Sequence, residues 1–212
     1  VPDEVRRVLQ EEATTLERLA STLDLDAIGR LVDLLVESPG RVRTMGCGTS
    51  GAAARKIAHT LTCVGCSASF LTPSDAPHGA LGEIRPGDIV MLVSKGGDTR
   101  ELAELVPNLR ALGATIVGVT EAESSIIGAA SDLLVRVRVD SEPDPTKMLA
   151  TASTLAVMAT MDAVAICVAQ RNGFDRRRFG LIHPGGAVGG RLTSSAPTVS
   201  PEIVNSWEGE QA

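Results

Sequence analysis

The chain is nearly empty of aromatic side chains. Of 212 residues, 2% are aromatic: no Tyr, one Trp and three Phe. Binding of single-stranded nucleic acid by base stacking needs such faces, so that class is set aside, and stacking of sugar rings with it. The core must be aliphatic. Cysteine is also scarce. Cys47, Cys63, Cys66 and Cys167 form no disulfide framework, which fits a reduced, cytoplasmic setting. Cys63 and Cys66 make a C-x-x-C, but no second pair or thioredoxin-like context accompanies it. They read as two small apolar residues ending a helix.

Positive charge is in deficit, with 20 Lys and Arg against 26 Asp and Glu and a formal net charge of -6. An acidic chain carries no electrostatic footprint for DNA or RNA. Its densest basic run, Arg176-Arg177-Arg178, lies in a mixed segment and reads as a solvated helix end. No apolar run reaches the roughly 18 residues of a membrane span. Val1 to Arg7 lack the apolar stretch of a signal peptide. Neither a nucleic-acid nor a membrane partner is expected.

What is present is ordinary for a globular chain: 43% hydrophobic and 22% charged residues. The length suits one domain with a buried core. Residues 1–40 read as two helices, from the spacing of Val8, Leu9, Ala13, Leu16 and Leu19 and then of Ile28, Leu31, Val32, Leu34 and Leu35. Ser38-Pro39-Gly40 stops the second. Beyond it, short apolar runs alternate with helical segments. Strands are predicted over 41–46, 68–71, 88–94, 115–120 and 133–139. Helices are predicted over 50–64, 100–112, 124–130 and 148–171. The alternation implies an α/β fold, a three-layer sandwich with a five-stranded parallel sheet flanked by helices and preceded by the N-terminal helices. The α/β domain spans residues 41–192, and residues 193–212 read as a tail of low periodicity.

Ligands of open parallel α/β sheets bind beyond the carboxyl ends of the strands. Two of those ends carry glycine- and hydroxyl-rich turns that open helices: Gly46-Cys47-Gly48-Thr49-Ser50-Gly51 and Ser94-Lys95-Gly96-Gly97-Asp98-Thr99. Glycines let the backbone approach an anion, and exposed N–H groups and hydroxyls then hold it. Any parallel α/β protein needs glycines at such turns, so either loop alone is weak; two on one sheet point to phosphate. The first matches G-x-G-x-x-G, but the second strand ends in Thr72-Pro73 with no acidic residue for a ribose, which argues against a dinucleotide. No Gly-Lys-Ser/Thr closes it as a Walker loop would.

Four stretches in order carry a family resemblance: Gly46 to Gly51, Pro77-His78-Gly79-Ala80-Leu81-Gly82, Ser94 to Glu101, and His183-Pro184-Gly185-Gly186-Ala187-Val188-Gly189 after Gly173-Phe174. Over about residues 40–192 the chain resembles the sugar isomerase (SIS) domain family, and within it the arabinose-5-phosphate isomerase branch. The resemblance implies a nucleotide-free phosphosugar site that needs no cofactor; the spacing of the histidine and carboxylates gives no dedicated metal motif, though together they could take up a divalent ion adventitiously. The resemblance also implies conversion of an aldose phosphate to a ketose phosphate through an enediol. Ser50, Ser94 and Thr99 would hold phosphate with backbone around Gly48 and Gly97, joined by Ser153 and Thr154. Glu101, Glu142 and His183 match acid/base positions, and His78 a second active-site histidine; His59, mid-helix, reads as structural. Each has a plainer alternative: Glu101 as a helix-start carboxylate, Glu142 as a loop carboxylate, His183 as a buried hydrogen-bonding histidine. In relatives a neighbouring subunit completes the site, so a homo-oligomer, a tetramer, is expected.

The sequence departs from the branch in places. Relatives carry Lys where this chain has Thr49, and Ser-x-Ser-Gly where it has Ser94-Lys95-Gly96-Gly97. A hydroxyl cannot supply a fixed charge beside a phosphate or a developing oxyanion. The expectation is that Lys95 or Lys147 replaces it. The paired CBS domains of many relatives do not follow this segment, so regulation through them is not expected. The alternative function is a non-catalytic phosphosugar sensor. A heptose-phosphate isomerase or phosphohexuloisomerase is a further reading, against which the His183-Pro184-Gly185-Gly186 segment argues.

Overall fold

The computed structural model describes residues 1–185, which fall into two units, one over residues 1–173 and one beginning at Phe174. The predicted tail 193–212, and Gly186 to Gly189 of the glycine-rich segment, lie outside the described residues.

The first unit opens with α1 (Pro2–Thr22) and α2 (Leu25–Glu37). Asp24 starts α2 by accepting a hydrogen bond from the Ala27 amide, 2.9 Å, which satisfies one of the orphan donors of a helix start. Strand β1 (Val42–Gly46) leads into α3 (Gly48–Cys63), followed by β2 (Ala68–Phe70), two short turns of tighter helix at Ala76–His78 and Ala80–Glu83, and β3 (Ile89–Val93). Then come α4 (Arg100–Ala103), α5 (Val106–Ala111), β4 (Thr115–Thr120), α6 (Ile126–Ala130), β5 (Leu133–Arg136) and α7 (Ala152–Arg171).

All five strands pair in parallel in the order β2-β1-β3-β4-β5. The alternation of side chains along a strand then divides the core into two layers. In β3, Ile89, Met91 and Val93 pack with Leu31, Leu35, Ile57, Leu61, Val164 and Val168 of α2, α3 and α7. Val90 and Leu92 point the other way, to Leu102, Leu105, Leu109 and Ile127 of the segments around α4 to α6. All five residues of β3 are buried, as a central strand covered on both faces must be. The expected three-layer sandwich is therefore what forms, and the N-terminal helices pack on one of its faces.

The elements differ from expectation in instructive places. The helix predicted over 100–112 is two pieces, because Pro107 near the start of α5 has no N–H to donate and cannot sit inside a continuous helix. The helix predicted from Met148 begins at Ala152, since Asp144 accepts the amides of Met148 and Leu149, each 2.9 Å, and holds them in a loop. The strand predicted to residue 139 ends at Arg136. Finally, α7 is long and apolar enough to cross a membrane by length and composition. Its apolar sequence is broken by Asp162, which pairs with Lys56 of α3. Eight of its residues are buried against the rest of the unit.

In the second unit, α8 (Arg176–Ile182) is capped by Asp175, which accepts from the Arg178 amide at 2.8 Å. The Phe179 ring stacks on His183 at 4.1 Å between centroids and meets Phe174 edge-on at 6.5 Å.

Candidate functional site

The sheet order 2-1-3-4-5 places a topological switch between β1 and β3, where neighbouring loops leave in opposite directions and open a crevice at the carboxyl edge. The two glycine- and hydroxyl-rich loops leave from these two strands.

The first is a tight strand-to-helix turn. A Cβ on Gly46 would stand 2.7 Å from the Ser50 carbonyl oxygen, and one on Gly51 would stand 2.6 Å from the Gly46 carbonyl oxygen. The backbone closes on itself there, so only glycine fits. Cys47 at the cap position supplies no side-chain hydrogen bond to the start of the 16-residue α3. Such a helix start favours an anion.

The second loop is held by its own side chains. The Ser94 and Thr99 hydroxyls hydrogen-bond each other at 2.8 Å, and the Gly97 amide donates to Ser94 Oγ at 3.1 Å. The Thr120 hydroxyl donates to the Lys95 carbonyl at 2.8 Å, and the Ile127 amide to the Gly97 carbonyl at 3.0 Å. Gly97 has φ 74. A Cβ there would overlap Ser125 Oγ and stand 2.9 Å from Thr120 Oγ1.

From this braced loop Lys95 reaches Glu142. Its Nζ donates to Glu142 Oε1 at 2.7 Å, and Glu142 Oε2 accepts the amides of Thr151 (3.0 Å) and Ser153 (3.3 Å). A carboxylate from the loop between β5 and α7 thus caps the 20-residue α7, where the helix dipole favours negative charge. Glu142 is 1% exposed. Burial alone would raise its pKa. The Lys95 ammonium, the Ser153 hydroxyl and the two amides outweigh burial and push it down to about 2.

Lys95, Ser50, Ser153 and Thr154 line one narrow cavity of about 30 Å³, with Thr120 beside them. Four of the expected binding residues therefore converge. Next to it, the Thr151 hydroxyl is buried with no hydrogen-bond partner among the described residues. A second, wider cleft of about 410 Å³ opens on the other side of the first loop. Cys47, Gly48 and Glu101 line it with Arg55, Phe70 and Ser74. Burial, and then the Glu101 charge, push the Cys47 thiol above its ordinary pKa.

The remaining expected residues sit elsewhere. Ser94 and Thr99 use their hydroxyls on each other and do not line the Lys95 cavity. Thr49 is exposed. Lys147, with φ 59, lines a separate cleft of about 510 Å³ with Arg7, Glu11 and Asp140. His78 is exposed at the end of its turn, before the left-handed Gly79. His59 is exposed on α3, with Nε2 3.5 Å from Cys63 Sγ. His183 belongs to the second unit, where its Nδ1 lies 3.2 Å from the Phe179 carbonyl oxygen. The sequence reading missed Arg55, Thr120 and Thr151. Thr120 had a signal, as the polar end of the fourth strand. Arg55, six residues past Thr49 on a helix, had none.

Comparison with known proteins gives this arrangement a family. The SIS domain profile matches residues 34–167. The arabinose 5-phosphate isomerase KpsF of Escherichia coli O6:H1 is 34% identical over 195 residues, covering 92% of this chain and 60% of its own length. The arabinose 5-phosphate isomerase KdsD of Yersinia pestis is 33% identical over 207 residues, covering 93% of this chain and 63% of its own length. The chain thus spans about three-fifths of the length of the curated relatives it matches. Among solved structures, a Listeria monocytogenes protein provisionally assigned as a sugar-phosphate isomerase superposes with a TM-score of 0.84 at 44% identity, covering 86% of this chain and 96% of that one. The E. coli CFT073 protein c3406, solved in complex with arabinose 5-phosphate, superposes with a TM-score of 0.82 at 30% identity, covering 85% and 95%. The chain belongs to the SIS domain family, in its arabinose-5-phosphate isomerase-like branch.

Proposed function

We propose that the chain is a sugar-phosphate aldose–ketose isomerase of the arabinose-5-phosphate isomerase type, working through an enediol. The observation that carries this is the convergence of Lys95, Ser50, Ser153 and Thr154 on one cavity, beside a cleft that holds a carboxylate, Glu101. A cation and hydroxyls are what a phosphate dianion needs, and in this structure the Ser153 hydroxyl holds Glu142 while the Thr154 hydroxyl donates to the Ala150 carbonyl at 3.3 Å, so both would turn to the ligand. A carboxylate next door is what abstraction of a proton beside a carbonyl needs.

In this reading the phosphate anchors the substrate at Lys95, which supplies the charge that Thr49 cannot. Of the two expected substitutes for that charge, Lys95 is supported, because Lys147 lines another cleft. The cavity is narrow, so phosphate entry draws the Lys95 side chain toward the ligand. Glu101 takes the proton from carbon 2 and returns it to carbon 1. The carbonyl oxygen at carbon 1 gains a proton as the hydroxyl at carbon 2 loses one, so the step balances without an external oxidant. Glu142, with both oxygens engaged and its pKa far below neutrality, positions Lys95 and the start of α7 rather than carrying a proton. A homotetramer in which exposed His78 faces a neighbouring copy belongs to the same proposal.

The test is turnover on a panel of pentose and hexose phosphates, read by NMR as aldose-to-ketose conversion. Conversion of at least one pentose phosphate, reduced about a hundredfold or more in Glu101→Gln, is expected. Tight binding across the panel with no conversion would establish instead a phosphosugar sensor, the reading that the uncharged Thr49 favours.

A further inference from the structure

The cleft beside the first loop contains a cation to which the sequence reading gives no role. Arg55 projects from α3, and its guanidinium carbon stands 3.8 Å from the centroid of the Phe70 ring at the end of β2. Among the described residues it has no carboxylate within ion-pair distance; the arginines that do, such as Arg7, Arg100 and Arg171, are paired at 2.5 to 2.9 Å. An aromatic face holds a guanidinium by its π-surface and leaves the N–H edge free to donate. Arg55 is thus fixed in place with its hydrogen-bonding capacity unspent.

Its surroundings say what that capacity is for. Arg55 and Glu101 line the same cleft, at the carboxyl edge of the sheet, where Gly46, Gly48 and Gly51 form a wall without side chains. A carbonyl compound in this cleft would meet a carboxylate and a cation together. When a base removes a proton from the carbon beside a carbonyl, the bonding pair moves into the new carbon–carbon double bond and negative charge develops on the carbonyl oxygen. A preorganised cation at that oxygen is the largest stabilisation a site of this kind offers.

We propose that Arg55 is a catalytic residue that binds the negatively charged oxygen of the enediolate at the reacting end of the sugar, opposite Glu101. The proposal rests on the sugar-phosphate isomerase reading and adds to it a second cation, distinct in place and task from Lys95. Lys95 serves the phosphate; Arg55 serves the end where the chemistry happens. It follows that the site prefers ligands carrying an anionic group at carbon 1, as in a 5-phosphopentonate, over those carrying a neutral hydroxymethyl there, as in a pentitol 5-phosphate.

Calorimetric titration of the full chain with this pair of ligands separates the two cations. The wild type is expected to bind the phosphopentonate more tightly than the pentitol phosphate. Arg55→Met should lose about tenfold or more in affinity for the phosphopentonate while its affinity for the pentitol phosphate stays within about twofold, and Arg55→Lys should recover part of the loss. Turnover in Arg55→Met should fall in kcat more than KM rises. Equal affinities of wild type and Arg55→Met for the phosphopentonate, or equal losses for both ligands, would overturn the Arg55 assignment and leave the isomerase reading standing. A wild type that binds neither ligand would overturn both.

Discussion

Lys95 Nζ and Glu142 Oε1 lie 2.7 Å apart, with the carboxylate buried and the ammonium two-fifths exposed at the cavity mouth. The other carboxylate oxygen takes two amides from the start of α7. One side chain thereby ties the loop after β3 to the helix after β5, two elements that converge on the cavity.

Acid stability reports this tie directly. The Glu142 carboxyl titrates at about 2 in the folded chain and near 4.3 when unfolded. A folded pKa below the unfolded one means that the stabilisation is fully present above about pH 4.3 and is lost as pH falls from there toward 2. The difference in unfolding free energy between wild type and Glu142→Gln should therefore shrink by roughly 3 kcal/mol over that window and stay constant from pH 5 to 7. Denaturant melts at half-unit pH steps measure it. A difference that does not change with pH would show that Glu142 carries no buried charge.

Replacing the two candidate lysines separates their roles. Lys95→Met should weaken binding of inorganic phosphate or a pentitol phosphate by about tenfold or more, because a charge-assisted contact is removed. Lys147→Met should leave it within about twofold, since Lys147 lines a different cleft. Equal effects of the two, read by calorimetry, would remove the reason for placing phosphate at Lys95.

Gly97 carries two separable constraints. Its φ of 74 disfavours any other residue, and a Cβ there would collide with the Ser125 hydroxyl. Gly97→Ala should cost about 2 kcal/mol or more in chemical denaturation. The double variant Gly97→Ala/Ser125→Gly removes both Ser125 atoms nearest the new Cβ, so it should regain part of the steric loss and keep a residual loss of about 1 kcal/mol or more from backbone strain and the lost α6 cap. Full recovery in the double variant would mean that the backbone angle costs nothing.

Much of this was legible in the sequence, for physical reasons. The apolar runs of β3 and β4 are buried on both faces, so their signal is strong, and the glycines at and beyond the end of β1 mark a turn that admits no Cβ. Helix breaks were harder. Pro107 splits a helix whose apolar spacing continues through it, and Asp144 delays α7 through hydrogen bonds that spacing does not encode. The site was half legible. Hydroxyls and carboxylates in loops announce themselves, whereas their partners do not. Ser94 and Thr99 read as two phosphate ligands, and the hydrogen bond that joins their hydroxyls is not visible in that spacing. Glu142 reads as an acid/base carboxylate, and its contacts with Lys95 and the Thr151 amide are not visible in the sequence. Arg55 is one basic residue of a helix until Phe70 and Glu101 give it a place.

The measurement that tests the central claim most directly is incorporation of solvent deuterium at carbon 2 of a pentose phosphate, followed by NMR in the wild type and in Glu101→Gln. The wild type should exchange the proton at carbon 2 together with formation of the ketose. Glu101→Gln should bind the sugar phosphate within about threefold of wild type but exchange at least about a hundredfold more slowly. No exchange by the wild type on any pentose or hexose phosphate, or undiminished exchange in Glu101→Gln, would contradict the account.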